Sequence, residues 1–327
     1  MLKKSLCALL ALCTWQSWAA DVPVVAITQI VAHPSLDADF KGLVDALAEA
    51  GYKDGETVQI KRELAQGDMG IATQIAQKFV GEKPAVLVGI STPSAQSLAA
   101  AARGRFPIVF TAVTDPLQAK LVDNLEKPGK NVTGTSDAVS LEKNIELIQS
   151  LMPEVKTIGT VFNPGEANSV AAVAELEQVV SSKGLKLLQA PATKTGEVLD
   201  ASRSLVGKAD AFFITTDNTA ITAFSSIVQV AEAEDIPLFP ADTGSVAEGA
   251  IAALGFSFYE IGRETGKQIA AVLKGEAIGD MPVKFMQHPE LYLNKAAAEK
   301  MGLTLPQSVI DSCRITACGR LFYWQDV

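Results

Sequence analysis

From residue 22 onward the apolar positions switch between two spacings. Short runs with little polar interruption, at 22–27, 58–64, 85–90 and 107–112, read as strands. Between them apolar residues recur every three or four positions. Phe40, Leu43, Val44 and Leu47 share one face of a helix over 37–51, and Gly51 stands where a C-cap belongs. Further helices are predicted over 71–80 and 93–102, the latter with Pro93 in its first turn, where a missing N–H does no harm. Strands alternating with helices imply βαβ units and a parallel sheet.

The order repeats after residue 154, with strands at 157–162, 185–190, 211–215 and 237–240 and helices at 169–183, 198–206 and 219–233. The halves match locally: 83–88 aligns with 208–213 at an offset of 125, and 106–110 with 236–240 at 130. A last helix at 259–273, an extended stretch at 283–285, a strand at 291–293 and a helix at 295–301 would complete both halves. The expected fold class is α/β, two Rossmann-like lobes with parallel sheets. The lobes are placed at 21–134 plus 256–281 and at 135–255 plus 283–306, with 307–327 as a C-terminal tail. The chain then crosses between them three times, near Gly134, Gly255 and Pro282, and short crossovers that absorb rotation make a hinge. A single sheet would need more than about ten strands.

The first twenty residues read differently. Lys3 and Lys4 precede the apolar run 6–13, and Ser17-Trp18-Ala19 supplies small residues for cleavage, so 1–20 is expected to be a secretory signal. Leu12 before Cys13 argues against a lipoprotein. The protein is therefore expected in the periplasm, where Cys313 and Cys318 either close a small loop or stay as two free thiols. Of 327 residues, 48% are hydrophobic and 20% charged, ordinary for a globular chain. The net charge of −9, with no Lys/Arg run, argues against nucleic acid. Two histidines, His33 and His288, and no C-x-x-C pair leave no zinc pattern, so no metal and no cofactor are expected. A G-x-S-x-G elbow is also missing, so an enzyme is not expected.

Ligands of open parallel sheets bind beyond the carboxyl ends of the strands. Those loops contain Gln29, then Ser91 and Thr92, then Ala112, Thr114 and Asp115 in the first half. The second half supplies Asn163, Asn168 and Ser169, then Asp217 and Asn218, then Asp242. By the two offsets Thr92 corresponds to Asp217 and Ala112 to Asp242. Ser91, Thr92 and Ser94 at a helix start suit a carboxylate or phosphate. Asp115, Asp217 and Asp242 offer negative charge, and none of the six loops holds Lys or Arg. A zwitterion satisfies both, with Asp242 expected on its ammonium. Each of these polar residues also reads as an ordinary helix N-cap. His33 stands in a loop before Pro34, and Phe258 and Tyr259 follow the second crossover, where they either line the cleft or pack at the hinge.

Gln29-Ile30-Val31-Ala32-His33-Pro34-Ser35-Leu36-Asp37, Ala65-Gln66-Gly67-Asp68-Met69 and Val113-Thr114-Asp115-Pro116 resemble the tryptophan/tyrosine-type ABC substrate-binding family, as do Gly129-Lys130-Asn131-Val132-Thr133-Gly134, Asn163-Pro164-Gly165-Glu166-Ala167-Asn168-Ser169 and Thr216-Asp217-Asn218-Thr219. The resemblance covers nearly all of 22–304. It implies the type I periplasmic-binding architecture, capture of a small ligand by hinge closure, an aromatic amino acid as that ligand, and partners in an ABC permease and its ATPase. A monomer is expected. A branched-chain amino acid, a nucleoside-like ligand and a ligand-sensing receptor module remain as alternatives.

Overall fold

The computed structural model describes residues 22–129, 131–312 and 315–317. The expected signal segment, both cysteine pairs and most of the tail lie outside them. In chain order the first elements are β1 (Val24–Gln29), α1 (Pro34–Glu49), β2 (Gln59–Leu64), α2 (Met69–Glu82), β3 (Val86–Ile90), α3 (Thr92–Ala102), β4 (Ile108–Thr111) and β5 (Val132–Ser136). Then follow α4 (Leu141–Leu151), β6 (Thr157–Phe162), α5 (Ala167–Ser182), β7 (Lys186–Pro191), α6 (Val198–Ser204), β8 (Ala211–Ile214), α7 (Asn218–Thr222), α8 (Phe224–Ala233), β9 (Leu238–Pro240) and β10 (Ala252–Gly255). The last are α9 (Phe258–Leu273), β11 (Lys284–Phe285), β12 (Glu290–Asn294), α10 (Lys295–Lys300), α11 (Gln307–Ser312) and β13 (Ile315–Ala317).

Two separate apolar cores make two lobes. The first gathers Leu43, Leu47, Phe79, Phe110 and Ile269 around a six-stranded sheet of order β11-β5-β4-β3-β1-β2, parallel throughout. The second gathers Ile145, Leu176, Phe212, Phe224 and Phe239 around the parallel sheet β7-β6-β8-β9. A hydrogen bond from Ile251 N to Leu238 O carries the second lobe on from β9 toward β10, where the order is β10-β12-β13. Here β10 and β12 run antiparallel, a departure from the all-parallel expectation. The arrangement is the type I periplasmic-binding-protein architecture.

Two crossings differ from the expected positions. β5 continues the first sheet through Ser136, so the chain leaves that lobe after residue 136 and not at Gly134. β11 pairs with β5, so 283–285 belong to the first sheet and the last crossing follows Phe285. The helix expected over 219–233 is broken at Ala223 (φ −105°, ψ 26°) into α7 and α8.

α9 docks on α1 through an approach that only glycine allows. A Cβ on Gly262 would lie 1.8 Å from the Asp39 carbonyl oxygen, and one on Gly42 would lie 2.0 Å from that of Tyr259. At the rim of this contact Arg263 binds Glu49 through two nitrogens, both at 2.8 Å. The packing returns the chain to the first lobe after the second crossing and fixes where α1 begins, at the cleft. No helix among the described residues is long and apolar enough to cross a membrane.

Candidate functional site

The carboxyl ends of β1, β3 and β4 face those of β6, β8 and β9 across a cleft, and the lobes touch there. Ser35 Oγ in the first turn of α1 donates to Asp242 Oδ1 at 2.7 Å. Ser91 Oγ donates to Asn218 Oδ1 at 3.0 Å, and the Thr114 and Thr216 hydroxyls share a hydrogen bond of 2.9 Å. His33 caps α1, its Nδ1 accepting from Ser35 N at 3.2 Å. Its Nε2 lies 3.2 Å from Glu248 Oε1. The structure is thus a closed form.

Between the contacts lies a small pocket, about 370 Å³ of atom-free space counted together with the solvent it opens to. Six of the expected site residues line it: Ser91, Ala112 and Thr114 from the first lobe, and Asn168, Asn218 and Asp242 from the second. Ser91 (φ 75°) and Ala112 (φ 51°) both hold positive φ at the ends of β3 and β4. Such conformations are costly for residues with a side chain and gather at binding sites. Val31, Leu36, Ile221 and Phe258 give the apolar wall, and no Lys or Arg lines the cavity. Phe258 is therefore a cleft residue, whereas Tyr259 turns to α1 and donates to Asp45 at 2.9 Å.

The other six expected residues stand outside the cavity, and all but Thr92 have their side chains engaged in hydrogen bonds elsewhere. Gln29 donates to Val31 O at 2.6 Å and accepts from Arg62 at 2.6 Å, so a cation of β2 approaches this loop from behind. Thr92 is fully buried at the start of α3, its hydroxyl without a partner, as is that of Ser94. Asp115 Oδ1 accepts from Leu117 N and Gln118 N, an Asx turn. It borders a second crevice of about 810 Å³ instead. Asn163 bonds Thr219 Oγ1 at 2.8 Å and Gly165 N at 2.8 Å. Ser169 donates to Asp217 Oδ2. Asp217 caps α7 through Ala220 N at 2.7 Å and accepts from Asn163 N at 2.5 Å. Its carboxyl is pushed up to about 6 by burial and by the nearby Glu166 charge. Of these six, Asp217 has the N-cap role that the sequence equally allowed.

Asp242 lines the cavity with its oxygens already engaged. Besides Ser35, Oδ1 accepts from Gly244 N at 3.3 Å, and Oδ2 accepts from Ser245 N at 2.9 Å and Ser245 Oγ at 2.6 Å. Two residues were not picked out from the sequence. Glu166, 8% exposed, accepts from the backbone and side chains of Asn218 and Thr219 and so shapes the loop that carries Asn218. Asp137 follows β5, is 5% exposed, and borders both the cavity and the second crevice, as do Thr114 and Thr216. Burial pushes its carboxyl up to about 6; a Thr114 hydroxyl and its own amide pull the other way, and the Asp242 charge adds to the rise. Among the described residues no cluster of His, Cys, Asp and Glu could hold a metal ion. The chemistry on offer is recognition: carboxylates and amides lining one cleft pocket, the Ser91 hydroxyl at the start of α3, and an apolar wall.

Known proteins share this layout. A tyrosine-binding protein of Clostridioides difficile is 40% identical over 271 residues, covering 83% of this chain and 78% of the relative. An ABC domain from Streptococcus pneumonia, solved in complex with L-Trp, is 35% identical with a TM-score of 0.86, covering 90% of this chain and 99% of that one. A ligand-free, open substrate-binding protein from Clostridium difficile is 38% identical but superposes less well, at a TM-score of 0.67 over 89% of this chain and 98% of that one. The better fit to the liganded relative, at slightly lower identity, agrees with the cross-lobe hydrogen bonds. The family model for ABC transporter substrate binding proteins matches residues 24–315, and the chain belongs to that family, whose members bind solutes and are not enzymes.

Proposed function

We propose that this protein captures a free aromatic amino acid outside the cytoplasm and delivers it to an ABC permease and its ATPase. The observation that carries the reading is the cavity's charge balance. Two aspartates, Asp137 and Asp242, line it and no Lys or Arg does, which disfavours a purely anionic ligand. Ser91, the N-cap of α3, brings the positive end of a helix dipole to the cavity. A zwitterion matches both. Phe258, Ile221, Leu36 and Val31 suit an apolar side chain, and relatives that share the fold at 35–40% identity bind tyrosine or tryptophan. The protein acts as a monomer, exported to the periplasm by residues 1–20.

Calorimetry with the aromatic amino acids, leucine and a nucleoside tests the reading. Tyrosine, tryptophan or phenylalanine should bind, and tyramine or tryptamine, which lack the carboxylate, should bind far more weakly. Binding of leucine or the nucleoside with no response to any aromatic amino acid overturns the ligand class.

A further inference from the structure

Asp242 is where the sequence places the ligand's ammonium, but its hydrogen bonding leaves no room for one. A carboxylate accepts about four hydrogen bonds. Asp242 receives four, from Ser35 Oγ, Gly244 N, Ser245 N and Ser245 Oγ. The free acceptors lie elsewhere on the same wall. Asp137 and Asn168 both line the cavity, both are at least nine-tenths buried, and the Oδ1 atom of each has no hydrogen-bond partner. The Asn168 amide orientation is fixed by its other end, since Nδ2 donates to Thr216 O at 2.8 Å. An unpaired buried acceptor is costly. A primary ammonium brings three donors and one positive charge to such a place.

We propose that the ligand's ammonium is held by Asp137, with Asn168 Oδ1 as a second acceptor, and that Asp242 serves as the latch between the lobes. This rests on the zwitterion reading and names the residue that selects for the amine. Asp137 belongs to the segment that leaves β5 for the second lobe, and Asn168 to the first turn of α5 in that lobe. One ammonium on both therefore ties the ligand to the crossing and to the second lobe at once, and is complete only when the cleft is shut. The charged and titratable groups around Asp137 are Asp242 beyond β9, Asp39 on α1, His33 with Glu248 facing it, and Asp115 and Glu175 of the second crevice. Asp242, Asp39 and Glu248 offer Asp137 no positive charge, and a bound ammonium favours its ionised form.

The test compares tyrosine with 3-(4-hydroxyphenyl)lactate, in which a hydroxyl replaces the ammonium, on wild type and Asp137→Asn. Wild type should prefer tyrosine. Asp137→Asn should lose about 30-fold or more in tyrosine affinity while binding the hydroxy acid nearly as wild type does. Full tyrosine affinity in the variant, or equal losses for both ligands, overturns the assignment. The wild type alone gives an independent reading. Below about pH 6 ammonium binding must displace a proton from Asp137, so tyrosine affinity should fall about tenfold from pH 7.5 to 5, with the hydroxy acid as the control for every other titrating group. Equal pH dependence of the two ligands counts against Asp137. If the protein takes a non-aromatic amine or amino acid, the aromatic reading fails, and Asp137→Asn on that ligand still decides this one. A preferred ligand with no ammonium overturns it.

Discussion

Ser35 and Asp242 lie 207 positions apart in the chain and 2.7 Å apart across the cleft. The contact needs Gly244 beside it, because a Cβ there would stand 2.2 Å from Ser35 Oγ. The same Ser35 donates its amide to His33 Nδ1, so one residue joins the cap of α1 to the opposite lobe. Asp242 in turn holds Ser245 through both its amide and its hydroxyl. The latch is thus built into the two loops that meet over the ligand cavity.

Ser35→Ala should leave the separate lobes intact and weaken closure. A buried carboxylate oxygen that loses a donor costs about 1–3 kcal/mol, and closure is part of the binding free energy. Calorimetry should show ligand affinity lowered about five- to 150-fold, with little change in the melting temperature of the ligand-free protein. Asp242→Asn should lower that melting temperature too, since it also loses the hydrogen bonds that order 243–245. Unchanged affinity in Ser35→Ala would show that the contact adds nothing to closure.

Asp137 should make the ligand-free protein less stable at neutral pH than it needs to be. Its carboxyl titrates near 6 in the fold, above the ordinary value of 3.8. A raised pKa means that the folded protein favours the neutral acid. The stability this group contributes is therefore fully present below pH 3.8 and lost as pH rises through 6. Asp137→Asn mimics the neutral acid. Ligand-free, it should melt at the wild-type temperature near pH 4 and above it at pH 7.5, by about 3 kcal/mol at most. A variant that is less stable than wild type at pH 7.5 contradicts this.

Gly262→Ala tests the seat of α9. The added methyl carbon would meet the Asp39 carbonyl at 1.8 Å, a backbone atom that cannot swing away. The two helices must separate along their contact, and urea denaturation should show a loss of about 3 kcal/mol or more. Gly275, where a methyl would meet nothing within 4 Å, is a poor control because its φ of 94° strains any side chain. Gly81 has open space and no such strain, and Gly81→Ala should be neutral or slightly stabilising.

The strands with apolar runs were legible from the sequence: β6 occupies the expected 157–162, and β1, β3, β4 and β8 fall within two residues of expectation. β5 was not. Its sequence, Val-Thr-Gly-Thr-Ser, carries one large apolar side chain, and its hydroxyls find partners far away in sequence. Thr133 bonds Met281 O, Thr135 bonds Gln268, and Ser136 bonds Thr114 O. Such a strand is buried by tertiary hydrogen bonding, which no local pattern announces. The omission had a consequence for the site. Asp137 sits at the carboxyl end of β5, the very place from which ligand residues were sought on the other strands. Asp217 misled in the opposite way. It occupies the right loop, but Ala220 N, Asn163 N and Ser169 Oγ use its oxygens, and nothing in the sequence separates a cap from a ligand contact.

Ligand should drive the lobes from open to closed. The cross-lobe bonds of Ser35, Ser91 and Thr114 are few and polar, and in an open cleft water can replace each of them. They cannot hold the lobes shut by a wide margin. A zwitterion that touches both lobes has contacts available only in the closed form, and it shifts the equilibrium by that difference in affinity. A relative that is ligand-free and open already differs in superposition from one that holds L-Trp. Small-angle scattering of this protein should therefore show a smaller radius of gyration with bound amino acid than without. Ser35→Ala should need more ligand to reach the same compact value. If the ligand-free radius already equals the saturated one, the closed form is the resting state, and capture must proceed through transient opening instead of ligand-driven closure.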